Sequence, residues 1–525
     1  MTGDAYPRRW QALAVLALSL VVIGMDNTIL NVALPTLVRD LDASSSQLQW
    51  IVDSYVLVFA GLLLTMGAFG DRFGRRLALD AGLVIFVAGS VASAFAGSAE
   101  VLIATRAAMG IGGALIMPST LSIITAIFPA EERGRAIAAW AATAGFGIVA
   151  GPVAGGWLLE HFWWGSVFLI NVPIVGVALL AGIPLVPESK DPAATPLDPA
   201  GAVLSIAGLT ALVYGIIEAP NHGWAEGRTL TAFGLAAGLL LAFVAWERRT
   251  PHPMLHMSFF RDARFSAGSL SITLVFFALF GSIFVLTQHL QFVLGYSALA
   301  AGLRVTPIAT LVIAAPLSAR LDERIGTKVV VAGGLVTVAA GLVLLAGLDA
   351  GDGYAPVGFA LALLGLGMGA TMAPATESIM GSLPLAKAGV GSAMNDTTRM
   401  VGGALGVAVI GSVLSSSYAT AVRPALGGLP EPAATAAGDS IGAAVHAAAT
   451  AGPAAANLLA TARSAFVAAM GDALLIGAAV AALGAVLALC FLPARPRRPD
   501  GPDGPDGPEP DHRDPAAPPV SVGSA

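Results

Sequence analysis

The chain has 525 residues, of which 56% are hydrophobic and 11% are charged, and its mean hydropathy is +0.79. A soluble globular protein carries about 25% charged residues, so this composition excludes a water-soluble enzyme or binding domain and predicts a polytopic membrane protein. The net charge of -6 is spread along the chain without a basic cluster, and no nucleic-acid partner is expected.

Apolar stretches near 20 residues in length predict fourteen transmembrane helices and an all-α fold in the lipid bilayer. An even number of spans places both ends of the chain on one side of the membrane. The predicted spans cover residues 11–34, 48–68, 77–97, 101–127, 136–158, 166–186, 200–218, 229–246, 265–290, 300–320, 328–348, 355–380, 400–418 and 464–492.

The basic residues are distributed unevenly between the two sides of the predicted membrane. Of the 27 lysines and arginines, 21 fall on the side of the termini, five on the opposite side, and Arg106 within a span. Because positively charged loops stay in the cytoplasm, this asymmetry predicts a plasma-membrane protein with both termini cytoplasmic. Arginine outnumbers lysine 24 to 3, a bias that indicates a GC-rich genome of bacterial type.

Ionisable residues within predicted spans are candidates for a functional site, since a charge facing lipid costs about 2.5 to 3.5 kcal/mol. Asp26 lies in the first span, Asp53 in the second and Arg106 in the fourth, all in the half of the membrane away from the termini. We predict that these three residues handle protons or cations; a static ion pair that orients helices is the alternative. The histidines and the single cysteine lack metal-ligand spacing, so neither a metal nor a cofactor is expected.

A charged turn, Gly67–Arg76, joins the second and third predicted spans, and Glu323–Lys328 echoes it between the tenth and eleventh. Such an echo is typical of transporters built from two parallel six-helix halves. We therefore expect an N-terminal half at 10–187, two inserted helices with linkers at 188–263, and a C-terminal half at 264–492.

Two segments differ in composition from the spans. Residues 419–463 are rich in Ala, Gly, Pro and Thr and are expected to form an external loop with some short helix. Residues 493–525 repeat Asp-Gly-Pro and contain too little apolar surface to fold, which predicts a disordered cytoplasmic tail.

The fifth predicted span contains glycines four residues apart, at Gly147, Gly151 and Gly155, followed by Gly156. That spacing places three glycines on one helix face, where another helix can approach closely. Pro152 removes a backbone donor from the middle of the same helix. We expect this helix to pack tightly against a neighbouring helix and to deform locally at Pro152.

This Gly-x-x-x-Gly-Pro-x-x-Gly-Gly string resembles the fifth-helix signature of the fourteen-span drug:proton antiporters of the major facilitator superfamily. The run Asp26–Pro35 resembles the first-helix signature of the same family. The turn ending Asp71–Arg76 is similar to the superfamily's loop signature, and Leu102–Gly112 to its fourth-helix signature, although Met109 stands where glutamine is usual.

The resemblance implies the major facilitator fold and a proton-coupled exporter of lipophilic or cationic drugs and antibiotics, with small molecules and protons as partners and no enzymatic activity. A major facilitator transporter of another amphipathic metabolite, a lipid or a siderophore is the alternative. The resemblance also implies gating roles for two groups, namely Asp71, Arg72, Gly74, Arg75 and Arg76 in the turn and Gly147, Gly151, Pro152, Gly155 and Gly156 in the fifth span.

The sequence contains no phosphate-binding loop of the form Gly-x-x-x-x-Gly-Lys-[Ser/Thr], so we expect an ion gradient rather than ATP to drive transport. An integral-membrane enzyme acting on a metal-bound diphosphate would need Asp-x-x-x-Asp clusters at cytoplasmic helix ends, which the sequence lacks. These observations favour a secondary transporter.

Overall fold

The computed structural model describes residues 6–190, 197–382, 388–427, 429–450 and 455–492, and within these ranges the chain is helical and has no strand. The helices are α1 (Arg9–Asp40), α2 (Ser45–Phe73), α3 (Arg75–Ala94), α4 (Ala99–Ile127), α5 (Ala130–His161), α6 (Ser166–Leu169 continued by Asn171–Leu185), α7 (Pro199–His222), α8 (Gly227–Glu247), α9 (Ala263–Gln288, continued by a π-helical turn at His289–Val293), α10 (Ala298–Val305 and Thr310–Ile325, joined by a 3-10 turn at Thr306–Ala309), α11 (Thr327–Ala346), α12 (Tyr354–Gly381), α13 (Ala388–Val422), α14 (Glu431–Asp439), α15 (Ile441–Thr450) and α16 (Ala455–Phe491).

Thirteen helices in the described part of the chain are long and apolar enough to cross a membrane. Helix α5, with 32 residues, is also long enough, since at 1.5 Å per residue it measures about 48 Å. Helices α14 and α15, with 9 and 10 residues, are too short to span. The all-α membrane fold predicted from the sequence is confirmed, with fourteen helices of spanning length among the described residues.

Several helices extend beyond the predicted spans. Helix α13 begins at Ala388 rather than at 400, because polar residues such as Asn395 and Asp396 lie buried against other helices instead of forming a loop. The predicted loop at 419–463 is likewise shortened from both ends and contains α14 and α15. The predicted tail at 493–525 lies outside the described residues.

The helices pack in two sets that repeat each other. In the first half (α1–α6), α1 packs on α5, while α2 and α3 pack on α4. In the second half (α9–α13 and α16), α9 packs on α13, while α10 and α11 pack on α12. Helix α7 contacts α2, α13 and α8, so the inserted pair α7–α8 touches both halves through α7.

The same turn geometry occurs at equivalent places in the two halves. Gly74 joins α2 to α3 with a φ of +140°, and its N–H donates to the carbonyl of Gly70 at 3.0 Å. Gly326 joins α10 to α11 with a φ of +91°, and its N–H donates to the carbonyl of Asp322 at 2.9 Å. Residues with a side chain are strained at such φ values, which explains a glycine at both positions.

We call the side on which α1 begins the terminus side, and the other the opposite side. The halves are joined on the opposite side. There the side-chain amide of Gln291 donates to the carbonyl of Val32 at 2.9 Å, and the backbone N–H of Leu299 donates to Glu160 at 3.3 Å. Each of these bonds links a helix of the first half to one of the second.

On the terminus side, the ion pairs of the described residues stay within one half. Arg9 pairs with Glu132 at 2.7 Å in the first half, and Arg399 pairs with Asp396 at 3.4 Å in the second. The exposed carboxyl group of Glu377 lies towards the terminus end of α12. The molecule is therefore held together at the opposite side.

Candidate functional site

Three helices of the first half converge on the side chain of Arg106. This residue lies on α4, is 1% exposed, and donates from Nη1 to Oδ2 of Asp26 on α1. Its Nε donates to the backbone carbonyl of Ile51 on α2 at 3.2 Å. The guanidinium also lies 4.4 Å from the ring centroid of Tyr55, so a cation–π contact completes its surroundings.

The ion pair is buried at the middle of α1. Asp26 is 1% exposed, and because α1 continues past Pro35 to Asp40, the carboxyl lies about 21 Å from the end of the helix rather than the roughly 12 Å expected from the shorter predicted span. The second oxygen of Asp26, Oδ1, has no hydrogen-bond partner in the described part of the chain. The pair therefore leaves one buried acceptor free.

Asp53 is buried without an ionic partner. It is fully inaccessible, and neither of its carboxyl oxygens has a hydrogen-bond partner among the described residues. Asp53 is two positions away from both Ile51 and Tyr55, so it points to a different face of α2 from the one that meets Arg106. The structure thus brings Asp26 and Arg106 together and places Asp53 elsewhere.

The face of α2 that carries Asp53 is turned towards the second half. Gln49, one helical turn before Asp53, accepts a hydrogen bond from Ser412 of α13 at 3.5 Å and lies against Gly411. Residues four apart share a helix face, so Asp53 lies on the contact between α2 and α13. An isolated carboxylate between two apolar helices is costly, because neither water nor a cation stabilises its charge there.

The glycine string of α5 packs directly against the segment of α1 that carries Asp26. A Cβ added to Gly147 would lie 2.8 Å from the carbonyl oxygen of Val21, and one added to Gly155 would lie 2.6 Å from Cγ1 of Ile29. At Gly151 a Cβ would collide with Oγ1 of Thr28. The predicted close approach is therefore made by α1.

The same helix has a second close contact on another face. A Cβ at Gly156 would lie 2.5 Å from the Cα of Leu299 on α10, and one at Gly302 would collide with the carbonyl of Pro152. Helix α5 thus packs tightly on α1 within its own half and on α10 of the other half. Through its glycines and Pro152, α5 links α1, which carries Asp26, to the contact between the two halves.

The predicted gating turn is bound within the first half. Asp71 accepts a hydrogen bond from Nε of Arg75 at 2.7 Å. Arg76 lies 3.5 Å from the carboxyl of Asp80 and donates to the carbonyl of Val186 at 3.2 Å. The Arg72 guanidinium lies 5.7 Å from the ring centroid of Phe73. In this arrangement the turn holds α2, α3 and the end of α6 together.

Glu188 is a partner of this turn that the sequence does not predict. Its carboxyl accepts from the backbone N–H groups of Arg76 and Leu77 at 3.2 and 3.3 Å, at the first turn of α3. It also occupies the space a side chain at Gly74 would need, 2.9 Å from the position of a Cβ. A carboxylate at a helix N-terminus is favourable. Because Glu188 lies 112 residues after Arg76, nothing in the local sequence indicates this contact.

The segment between α13 and α16 closes over the opposite side. The carboxyl of Asp439, at the end of α14, accepts from the backbone N–H of Ser45 at 3.0 Å, and the Ser45 hydroxyl donates to the Asp439 carbonyl at 2.6 Å. Burial raises the pKa of the Asp439 carboxyl above its usual range, the Ser45 N–H lowers it, and nearby Glu218 raises it further. This contact joins the second half to the first turn of α2.

Comparison with known proteins agrees with this architecture. The model of the family described as the Major Facilitator Superfamily matches residues 16–407. The chain belongs to the major facilitator superfamily. It is a multi-pass membrane protein of this transporter family, as the fourteen long helices require.

Curated relatives cover most of the chain. It is 40% identical to the multidrug efflux pump LfrA of Mycolicibacterium smegmatis over 87% of this chain and 91% of that protein. It is 33% identical to the tetracenomycin C resistance and export protein of Streptomyces glaucescens over 92% and 91% of the two chains. It is 36% identical to the methyl viologen resistance protein SmvA of Salmonella typhimurium over 79% and 84%.

A solved structure shows the same fold. A bacterial homologue of the human lysosomal transporter Spinster superposes with a TM-score of 0.64 at 18% identity, covering 93% of this chain and 99% of that one. Since this identity is low, the likeness concerns the fold.

Proposed function

We propose that this protein is a proton-coupled exporter of lipophilic, often cationic, drugs or antibiotics across the cytoplasmic membrane, with both termini in the cytoplasm. The observation that carries the proposal is the buried Asp26–Arg106 pair with its free carboxylate oxygen, accompanied by the unpartnered acid Asp53. Intramembrane ionisable residues mark ion or substrate pathways. Relatives named for multidrug efflux, tetracenomycin C export and methyl viologen resistance support the substrate class.

The proposed topology makes the terminus side cytoplasmic and the opposite side external. The seal formed by α2 and α13, by Gln291 with Val32 and by Asp439 with Ser45 then closes the external side. In this state the protein is ready to receive substrate from the cytoplasm or from the inner leaflet. The two halves at 10–187 and 264–492 rock about this seal, with 188–263 as the inserted pair.

Asp53 links proton binding to the seal. When α2 lies against α13, the carboxyl is excluded from water and is stable only as the neutral acid. When these helices separate, the carboxyl meets external water and can exchange its proton. Proton uptake from outside thus favours closure of the external side, which returns the emptied transporter to the cytoplasm-facing state.

Asp26 and Arg106 supply the charge for which proton and substrate compete. The guanidinium holds one oxygen of Asp26, and the free Oδ1 can accept a proton or a cationic substrate group. Moving one charge through 100 mV is worth about 2.3 kcal/mol, so one proton exchanged for a neutral substrate can support roughly a 50-fold substrate gradient. The close α1–α5 contact at Gly147, Gly151 and Gly155 packs α5 against the segment of α1 that carries Asp26.

Uptake into inside-out vesicles tests the proposal. An acid interior should drive accumulation of at least one compound from a panel of methyl viologen, ethidium, puromycin and tetracenomycin C, and an uncoupler should abolish it. Vesicles from cells without the protein provide the control. Accumulation that persists with the uncoupler, or no proton-driven transport of any amphipathic drug, would contradict it.

A further inference from the structure

The inserted helices α7 and α8 enclose an apolar groove of about 860 Å³ that the transport site does not use. This volume is within the range of about 300 to 1,000 Å³ typical of ligand sites. One face of α7, from Val203 through Ala207 and Ala211 to Tyr214, forms one wall, and α8 from Arg228 to Leu239 forms the other. Small residues between larger ones leave the groove open.

The groove is long enough for an acyl chain. Val203 and Tyr214 are eleven positions apart, as are Arg228 and Leu239, so at 1.5 Å per residue each wall is about 16 Å long. Each wall therefore covers at least half of a hydrocarbon core about 30 Å thick. The groove begins at Arg228, at the opposite-side end of α8, and reaches Val203, four positions from the terminus-side end of α7, so it extends past the middle of the bilayer.

Aromatic residues mark the surface end of the groove. Trp224, between α7 and α8, is 49% exposed, and the ring centroids of Trp50 and Tyr214 lie 6.3 Å apart beside the groove. Tryptophan and tyrosine gather at the level of lipid headgroups. The end at Tyr214 and Arg228 is thus placed at headgroup depth.

Arg228 at this end has donors to spare. Its Nη2 donates to the hydroxyl of Tyr214 at 2.6 Å and its guanidinium lies 5.8 Å from that ring centroid. Among the described residues, it lies within ion-pair distance of no carboxylate. A guanidinium can donate two parallel hydrogen bonds to a phosphate group, and the bond to the Tyr214 hydroxyl fixes the orientation of the Arg228 guanidinium.

We propose that this groove binds one anionic phospholipid, whose phosphate pairs with Arg228 and whose acyl chain lies along α7 and α8. The charge at one end, the apolar groove below it and the aromatic residues at headgroup depth match the phosphate, the acyl chain and the glycerol region of such a molecule. An anionic headgroup is favoured over a zwitterionic one because it brings no second cation to the side of Arg228. The bound lipid fills the gap between α7, which contacts both halves, and α8.

Native mass spectrometry of the purified full-length protein tests the proposal with three probes: phosphatidylglycerol, phosphatidylethanolamine and inorganic phosphate. The wild type should retain phosphatidylglycerol in preference to the other two. Arg228→Gln should reduce its retention about tenfold, the loss expected for a charge-assisted hydrogen bond. Arg423→Gln, which removes an exposed cation on the same side outside the groove, should leave retention unchanged.

A second variant tests the apolar groove independently of the charge of Arg228. Ala211→Trp should block the groove and lower phosphatidylglycerol retention, whereas Ala237→Trp, on the exposed face of α8, adds equal bulk elsewhere and should not. Equal retention by all variants, or equal retention of both lipids, would overturn the proposal. So would phosphate binding alone, or a dimer that Ala211→Trp dissociates, since a second copy would then occupy the groove.

Discussion

Asp26 and Arg106 lie 80 positions apart in the sequence and form a buried ion pair between α1 and α4. Both side chains are at most 2% exposed. Charges in this setting are stable only together, because removal of one leaves the other in a low-dielectric interior.

This pairing predicts strong coupling between the two positions in thermal unfolding of the detergent-purified protein. Arg106→Gln alone leaves a buried, unpaired carboxylate and should lower the free energy of unfolding by about 3 kcal/mol. The double variant with Asp26→Asn removes both charges and should be more stable than that single variant. Additive losses in this double-mutant cycle would show that the pair makes no energetic contribution as a pair.

The close contact between α5 and α1 predicts that Gly151→Leu abolishes efflux while membrane insertion persists. The space for a side chain there is occupied by Thr28 and by the Met25 carbonyl, 2.8 Å from a Cβ, so leucine must push the two helices apart. Efflux of a fluorescent drug and the amount of protein in the membrane should be measured together.

Gly176→Leu is the matched control for that substitution. Nothing lies within 4 Å of a Cβ at Gly176 on α6, so the same change in residue type should leave efflux unchanged. Normal efflux by Gly151→Leu would show that close α1–α5 packing is dispensable.

The contact of Asp439 with Ser45 on the opposite side predicts that acid stabilises the sealed state. Burial raises the pKa of Asp439 in the seal, and hydration on opening returns it towards the usual value of about 3.9. The sealed state therefore binds the proton more tightly. This stabilisation is fully present below the ordinary pKa and is lost as pH rises through the raised pKa, by at most about tenfold per pH unit.

Spin labels on cysteines at Asp40 and Arg423, in a Cys490→Ala background, can follow the distance between the halves on the opposite side as pH is varied. Asp439→Asn, which cannot titrate, should remove the contribution of this residue to the pH dependence of the sealed population. If the variant kept the full pH dependence, other groups would control the seal.

The proposed topology predicts that a cysteine at Arg76, in the same Cys490→Ala background, is labelled by a membrane-impermeant thiol reagent only after the cells are opened. The reason is the excess of basic residues on the terminus side. A cysteine at Arg423 should be labelled in intact cells. The reverse pattern would contradict the assigned orientation.

Hydropathy and residue spacing were sufficient to predict the spans, the tight face of α5 and the repeated turn at Gly74 and Gly326. These features depend on local composition or on a short periodic pattern. The start of α13 at Ala388 was missed because buried polar residues such as Asn395 lower the local hydropathy without ending the helix.

Contacts between distant segments could not be predicted. The sequence suggested Asp26, Asp53 and Arg106 as one centre, but which acid meets the arginine depends on how α2 is rotated about its axis. The π-helical turn at His289–Val293, which ends a helix whose Gln291 reaches Val32, breaks the 3.6-residue period and leaves no mark in the sequence.

The most direct test of the coupling account is proton-driven drug accumulation in inside-out vesicles that contain Asp26→Asn or Asp53→Asn protein at wild-type abundance. The account predicts that Asp26→Asn loses accumulation, and that Asp53→Asn impairs it for cationic and neutral drugs alike, because the amide cannot exchange a proton when α2 and α13 separate. If both variants still built a drug gradient that collapsed with an uncoupler, these carboxylates would be structural and the coupling acid would lie elsewhere.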